Sequence, residues 1–161
     1  MIEDLKLGNA FPEAEQGLNL AKNVAFLADL PKTVAGVTTN RFCGSSMQTL
    51  IDAANSIRAG EAEAIIAAGV ESMSRVSMGG FNPSPNPALL EKYPAAYISM
   101  GVTAENVAKQ FNISRDEQET LAVESHKKAT KAAKEGLFRE EIAEITTIGK
   151  GNQRHCRGHS H

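Results

Sequence analysis

Cys43 sits in the run Thr39-Asn40-Arg41-Phe42-Cys43-Gly44-Ser45-Ser46-Met47, where an apolar, strand-like stretch turns into an amphipathic helix. A thiol at a helix N-terminus lies at the positive end of the helix dipole and beside unpaired backbone N–H groups. Both favour the thiolate, the nucleophilic form of the side chain. Arg41 adds a positive charge close by. The chemistry on offer is nucleophilic catalysis, with the reactive group displayed on a sharp turn between a strand and a helix. The same position also suits a cysteine packed as a small hydrophobe, the commoner use of a free thiol. Spacing alone leaves both readings open.

The elements that would position Cys43 are legible around it. Val34-Ala35-Gly36-Val37 is a short apolar stretch with β-branched residues, as in a buried strand. Met47, Leu50, Ile51, Ala54 and Ile57 recur at helical spacing, and Gly60 offers a stop. Ala64-Ile65-Ile66-Ala67-Ala68 reads as a second buried strand. Two such strands joined by a helix make a βαβ unit with a right-handed parallel crossover. Cys43 then falls at the carboxyl end of its strand, where open α/β sheets place their ligand sites. Upstream, Asp4 to Asn9 reads as a short strand, and Gly17 to Leu30 as a helix apolar nearly all round, ended by Pro31.

Downstream, Gly79-Gly80 and Asn82-Pro83-Ser84-Pro85-Asn86-Pro87 place a long loop between Ser74 and Ser99. Ala104, Val107, Ala108 and Phe111 mark one helix. Ser114 with Glu117 three residues on is a capping box opening another, whose expected buried stripe is Gln118, Leu121, Ala122, Ser125, Ala129 and Ala132, with Gly136 as its stop. Its other face carries Lys127, Lys128, Lys131 and Lys134, a solvated surface with phosphate binding as the minority alternative. Ile142 to Ile148 reads as a strand.

Bulk properties bound the rest. The 161 residues suffice for one domain or a little more, and a net charge of −2 gives no nucleic-acid footprint. No apolar run approaches the roughly 20 residues that cross a bilayer, and Met1-Ile2-Glu3-Asp4 lacks a secretory pattern. The two cysteines, Cys43 and Cys156, form no disulfide framework. These features predict a soluble, cytoplasmic protein. His155, Cys156, His159 and His161 in the last stretch match no zinc framework, and residues 149–161 read as an unstructured tail.

Asn40 to Gln48, NRFCGSSMQ, resembles the nucleophile motif of the thiolases, specifically the 3-ketoacyl-CoA thiolases of fatty-acid β-oxidation. Three further stretches agree in order: Leu7 to Glu13 with Gln16-Gly17, Ala67 to Ser74, and Met100 to Ala108 followed by Ile113 to Gln118. The resemblance runs from about residue 4 to residue 148. It implies an α/β fold: a partial thiolase-like fold, with a βαβ-containing mixed sheet and part of the inserted loop domain that covers the active site. On this basis residues 1–72 are part of the N-terminal domain, 73–148 part of the loop domain, and 149–161 an unrelated tail.

The resemblance implies an acyltransferase that cleaves a 3-ketoacyl-CoA with coenzyme A, giving acetyl-CoA and a shortened acyl-CoA. Cys43 corresponds to the residue that becomes acylated, its own N–H serving as an oxyanion donor, and Met100 to a substrate-lining position. Gly44, Ser45 and Ser46 let the backbone approach the substrate closely. Ser99 stands where some relatives carry a histidine. Coenzyme A thioesters are substrates, with no cofactor and no metal, and the full-length family forms homo-oligomers through its N-terminal domains. The family's Gly-His-Pro and Cys-x-Gly-Gly-Gly motifs, which supply a histidine and a second cysteine, have no match in this sequence. The expectation is an N-terminal portion that turns over little or no substrate alone. The alternative is a non-catalytic or dimerising fragment.

Overall fold

A computed structural model describes residues 1–148 and the strand 154–157, with side chains to residue 145. The chain forms two compact units, Met1–Pro87 and Ala88–His161.

The first unit is built on three parallel strands, β1 (Asp4–Gly8), β2 (Ala35–Thr39) and β3 (Ile65–Gly69), in the order β2-β1-β3. Leu5 pairs with Gly36 on one side and Ile66 on the other, and Gly8 with Thr39 and Gly69. The expected βαβ unit is present, but its two strands are not neighbours, because β1 lies between them. The expected mixed sheet is wholly parallel in this unit.

Two helices cover the two faces. α1 (Leu20–Leu27) connects β1 to β2, and α2 (Ser45–Arg58) connects β2 to β3. The second connection steps back across β1, so a right-handed crossover puts α2 on the face opposite α1. The period of two along β1 confirms this arrangement. Leu5 and Leu7 form the core with Ala21 and Ala25 of α1, joined by Ile66 and Ala68. Lys6 points the other way and donates to Ser56 of α2 at 2.9 Å.

α1 begins at Asn19, whose side chain accepts from the Lys22 N–H and donates to the Gly36 carbonyl at 2.8 Å. The segment Gly17 to Leu30 reads as apolar nearly all round, yet Ala21 and Ala25 are its fully buried hydrophobic residues, while Leu18 and Leu27 are about nine-tenths exposed. The reason is the close approach to β2. A Cβ on Gly36 would sit 2.8 Å from the Lys22 nitrogen, so only small residues fit the helix face that meets the sheet.

α2 shows the same logic more sharply. The stripe Met47, Leu50, Ile51 and Ile57 is exposed, and the buried face is Ser45, Thr49 and Ala53. The buried Thr49 hydroxyl shares its one proton between the Ser46 carbonyl at 2.8 Å and the Ala68 carbonyl at 3.2 Å.

The first compact unit extends to Pro87. Val76 is buried, Arg75 pairs with Glu15, and the Phe81 N–H donates to Glu13 at 2.7 Å.

The second unit contains α3 (Pro87–Lys92), a 3-10 turn at Pro94–Tyr97, α4 (Met100–Phe111), α5 (Arg115–Lys134) and an antiparallel pair, β4 (Ile145–Ile148) with β5 (Arg154–Arg157). The stretch read as loop to Ser99 is therefore helical over much of 87–97. Ser99 caps α4 by accepting from the Val102 N–H at 3.3 Å. The capping box at Ser114 and Glu117 is formed, and Gly136 ends α5 with φ of +71°. The predicted buried stripe of α5 is exposed apart from a half-buried Ala132. Of the expected tail, residues 149–153 and 158–161 lie outside the described residues, and 154–157 is the strand β5. No helix among the described residues is long and apolar enough to cross a membrane.

Candidate active site

Two glycines bring the start of α2 down onto the ends of the strands. A Cβ on Gly8 would lie 2.5 Å from the Ser46 nitrogen and 2.6 Å from the Ser45 carbonyl carbon. One on Gly69 would lie 2.7 Å from the Ser46 Cβ. Hydrogen at these two positions lets the first turn of α2 seat directly on the carboxyl ends of β1 and β3.

Between β2 and α2 the chain makes one 3-10 turn, Phe42–Gly44, with Cys43 at its centre. Phe42 has φ of +46°, a left-handed conformation unusual for a bulky residue. Such a residue costs about 1–2 kcal/mol and needs its surroundings to hold it. Three hydrogen bonds do so. The Phe42 N–H donates to Asn40 Oδ1 at 2.8 Å, the Arg41 N–H donates to Ser45 Oγ at 2.9 Å, and Ser45 Oγ donates to the Phe42 carbonyl at 2.6 Å. At roughly 1 kcal/mol each, they offset the strain. Ser45 is thus a buried brace for the turn, a role beyond the small size read from the sequence.

Cys43 is exposed and lines a cleft of about 450 Å³. Phe11, Phe42, Val70, Met73 and Met78 give that cleft an apolar wall. The Phe11 and Phe42 rings pack at 6.1 Å, tilted by 52°. The Cys43 N–H has no hydrogen-bond partner among the described residues, so it is open to a ligand oxygen. Met100, the other residue singled out, belongs to the second unit, where it is the first residue of α4 and is 70% exposed.

Glu71, two residues past the end of β3, also lines the cleft and is fully engaged. Its carboxylate accepts from Asn9 Nδ2 at 3.0 Å, the Ala10 N–H at 2.8 Å, the Phe11 N–H at 3.3 Å and Gln16 Nε2 at 3.0 Å. Gln16 also accepts from the Ser72 N–H, and Asn9 donates to the Val70 carbonyl at 2.9 Å. Asn9 and Gln16 are buried, and these bonds supply partners for the Asn9 NH2 group and the Gln16 amide, while Asn9 Oδ1 has none among the described residues. Sequence reasoning attached no role to Asn9, Gln16 or Glu71. Their signal was that all three fall inside stretches carrying the family resemblance, Leu7 to Glu13 with Gln16-Gly17 and Ala67 to Ser74. Nearby, the carboxyl of Glu15 lies below its ordinary range, first because of its own backbone N–H and then because of Arg75.

No three His, Cys, Asp or Glu side chains come together as metal ligands among the described residues.

Comparison with known proteins fits this geometry. Residues 1–158 match the family model described as thiolase, N-terminal domain. A 3-ketoacyl-CoA thiolase of Bacillus subtilis is 49% identical over 156 residues, covering 94% of this chain and 40% of the relative. One from Acinetobacter baylyi is 43% identical over 144 residues, covering 89% and 37%. One from Acinetobacter baumannii is 44% identical over 141 residues, covering 88% and 36%. The chain spans about two-fifths of the length of the curated relatives it matches.

Proposed function

Because the chain belongs to the thiolase family, with the N-terminal domain matched over nearly its whole length, we propose that it carries the acyl-accepting half of a 3-ketoacyl-CoA thiolase. The observation that carries this reading is an exposed cysteine on a braced turn at the start of α2, facing an apolar cleft with its own N–H open.

The Cys43 thiolate attacks the C3 carbonyl carbon of a 3-ketoacyl-CoA, forming a C–S bond and an oxyanion next to the Cys43 N–H. Collapse of the oxyanion breaks C2–C3. The electron pair goes to C2, which takes a proton and leaves as acetyl-CoA. The thiolate of a second coenzyme A then attacks the thioester, its C–S bond forms, and Cys43 departs as thiolate with the shortened acyl-CoA released. Thiol and carbonyl chemistry accounts for every bond, so coenzyme A enters as substrate and no cofactor is called for. The apolar wall of the cleft offers few polar partners to water that would hydrolyse the thioester. The reading of Met100 as a substrate-lining residue rests on the family resemblance alone; within the second unit its thioether is exposed.

The proton steps need a carrier, and no histidine lines the cleft among the described residues. Glu71 is already taken by four donors. The 161-residue chain alone is therefore expected to become acylated at Cys43 and to turn over little. The relatives' names support a place in fatty-acid β-oxidation. The two-cysteine composition supports a cytoplasmic setting, and the exposed apolar stripe of α2 supports pairing with a second copy.

Incubation with acetoacetyl-CoA, followed by peptide mass spectrometry, tests the reading. One acetyl group on Cys43, absent in Cys43→Ser, is the expected result. An unmodified Cys43 after prolonged incubation would leave the non-catalytic fragment as the better description.

A further inference from the structure

We propose that Glu71 and Asn40 are positioning residues for the nucleophile, linked to it by one continuous chain of hydrogen bonds. The proposal rests on the assignment of Cys43 as acyl acceptor and adds the device that orients it.

The chain runs through four groups. The Glu71 carboxylate accepts from the Ala10 N–H at 2.8 Å, and the Ala10 carbonyl accepts from Asn40 Nδ2 at 3.0 Å. Asn40 Oδ1 accepts from the Phe42 N–H at 2.8 Å, and Phe42 is the left-handed residue that immediately precedes Cys43. Each link uses a group with two functions. Peptide 9–10 donates at its nitrogen, and residue 10 accepts at its oxygen. The Asn40 amide donates with one end and accepts with the other, which no carboxylate or hydroxyl of similar size can do in the same geometry. At residue 10 the link is positional: the N–H of peptide 9–10 and the carbonyl of peptide 10–11 share the Ala10 Cα, so a shift of one carries the other.

The far end is firmly anchored. The one Glu71 carboxylate accepts from Asn9, Ala10, Phe11 and Gln16 together, and the two side-chain amides among them are buried. A carboxylate offers acceptors only, whereas a glutamine at position 71 would turn two hydrogens toward a ring of donors. The loop carrying Ala10 and Phe11 would then shift, and with it the oxygen that fixes Asn40. Loss of Asn40 would free Phe42 to leave its left-handed conformation and carry Cys43 with it. Phe11 against Phe42 adds a second, apolar contact between the same two segments.

The test measures Cys43 reactivity in the full chain with two reagents, acetoacetyl-CoA and iodoacetamide, each read by peptide mass spectrometry. Glu71→Gln, Asn40→Asp and the double variant are compared with the parent. Asn40→Asp keeps the acceptor for Phe42 but replaces the donor to Ala10 with a second acceptor. Each single variant is expected to slow acylation by about tenfold, since sub-ångström misplacement of a reacting atom is felt at that scale. Iodoacetamide, which has fewer orientational demands, is expected to slow by about threefold. The double variant is expected to be no slower than the slower single, because both substitutions cut one chain.

Rates within twofold of the parent for both reagents in Asn40→Asp overturn the proposal, as do single effects that multiply in the double variant. Asn40 is exposed, so its variant carries the test alone should Glu71→Gln fail to fold. If acetoacetyl-CoA leaves the parent unmodified, the acyltransferase reading fails, while the iodoacetamide rates still decide whether Glu71 and Asn40 position Cys43.

Discussion

Gly8→Ala is the substitution that most directly asks whether the sheet positions Cys43. The added methyl would lie 2.5 Å from the Ser46 nitrogen, 0.9 Å short of the 3.4 Å at which ordinary contact begins. The atoms it meets are backbone of the first turn of α2, so no side-chain rotation relieves the overlap. Either that turn lifts or β1 sinks, and overpacking of this size costs about 1–3 kcal/mol. A lift of just under an ångström at Ser45 and Ser46 passes directly to the turn at Cys43, where misplacement of about 1 Å costs up to ~10²-fold in rate. Gly36→Ala is the matched comparison. Its methyl would lie 2.8 Å from the Lys22 nitrogen, also backbone, but on the face covered by α1. Both variants should lose about 1–3 kcal/mol in urea denaturation. Only Gly8→Ala should also slow acylation of Cys43 by acetoacetyl-CoA tenfold or more. Equal slowing in the two variants would refute the claim that packing on the α2 face, and not on the α1 face, positions the nucleophile. So would a Gly8→Ala chain with the parent's stability and rate.

The second unit yields two further expectations. In α5 the backbone N–H and hydroxyl of Ser114 hold the Glu117 carboxyl below its ordinary value of 4.5. A depressed folded pKa means the cap's contribution is complete above pH 4.5 and is lost as pH falls through the lower folded value. Helicity followed by far-UV circular dichroism should therefore fall in that acid window, and Glu117→Gln should remove this component; an unchanged acid curve would count against it. In α4, Gly101 occupies a helical position with only Ser99 Oγ near its would-be Cβ, at 3.8 Å. Gly101→Ala should stabilise the chain by about 0.5–1 kcal/mol in urea denaturation, and a loss would show that the space is not free.

How much of this was visible in the sequence follows from which residues had to meet. The Cys43 turn was readable because its determinants are contiguous: a β-branched strand, a nucleophile and a helix within about 25 residues. The capping box at Ser114 is equally local, and it formed as expected. The order β2-β1-β3 was not readable from the βαβ pattern, since a helical crossover fixes handedness and leaves open which strand is inserted between. The Glu71 cluster joins residues more than 50 positions apart, and no periodicity points to it.

The face of α2 is the most instructive departure. Residues 45, 49 and 53 and residues 47, 50, 51 and 57 both recur at helical spacing, so the period establishes a helix and leaves its orientation open. Hydrophobicity favours the second set, which is nonetheless exposed. What decides is distance. Gly8 and Gly69 bring the strand ends so close that Ser46 already lies at the limit of contact, and only serine, threonine and alanine fit a helix face at that separation. A cysteine displayed above a sheet requires the helix behind it to sit low, and a low helix requires small residues beneath it. The apolar stripe is therefore turned outward by the same geometry that presents Cys43, and the glycines at positions 8 and 69 are as much a part of the nucleophile's design as the turn that bears it.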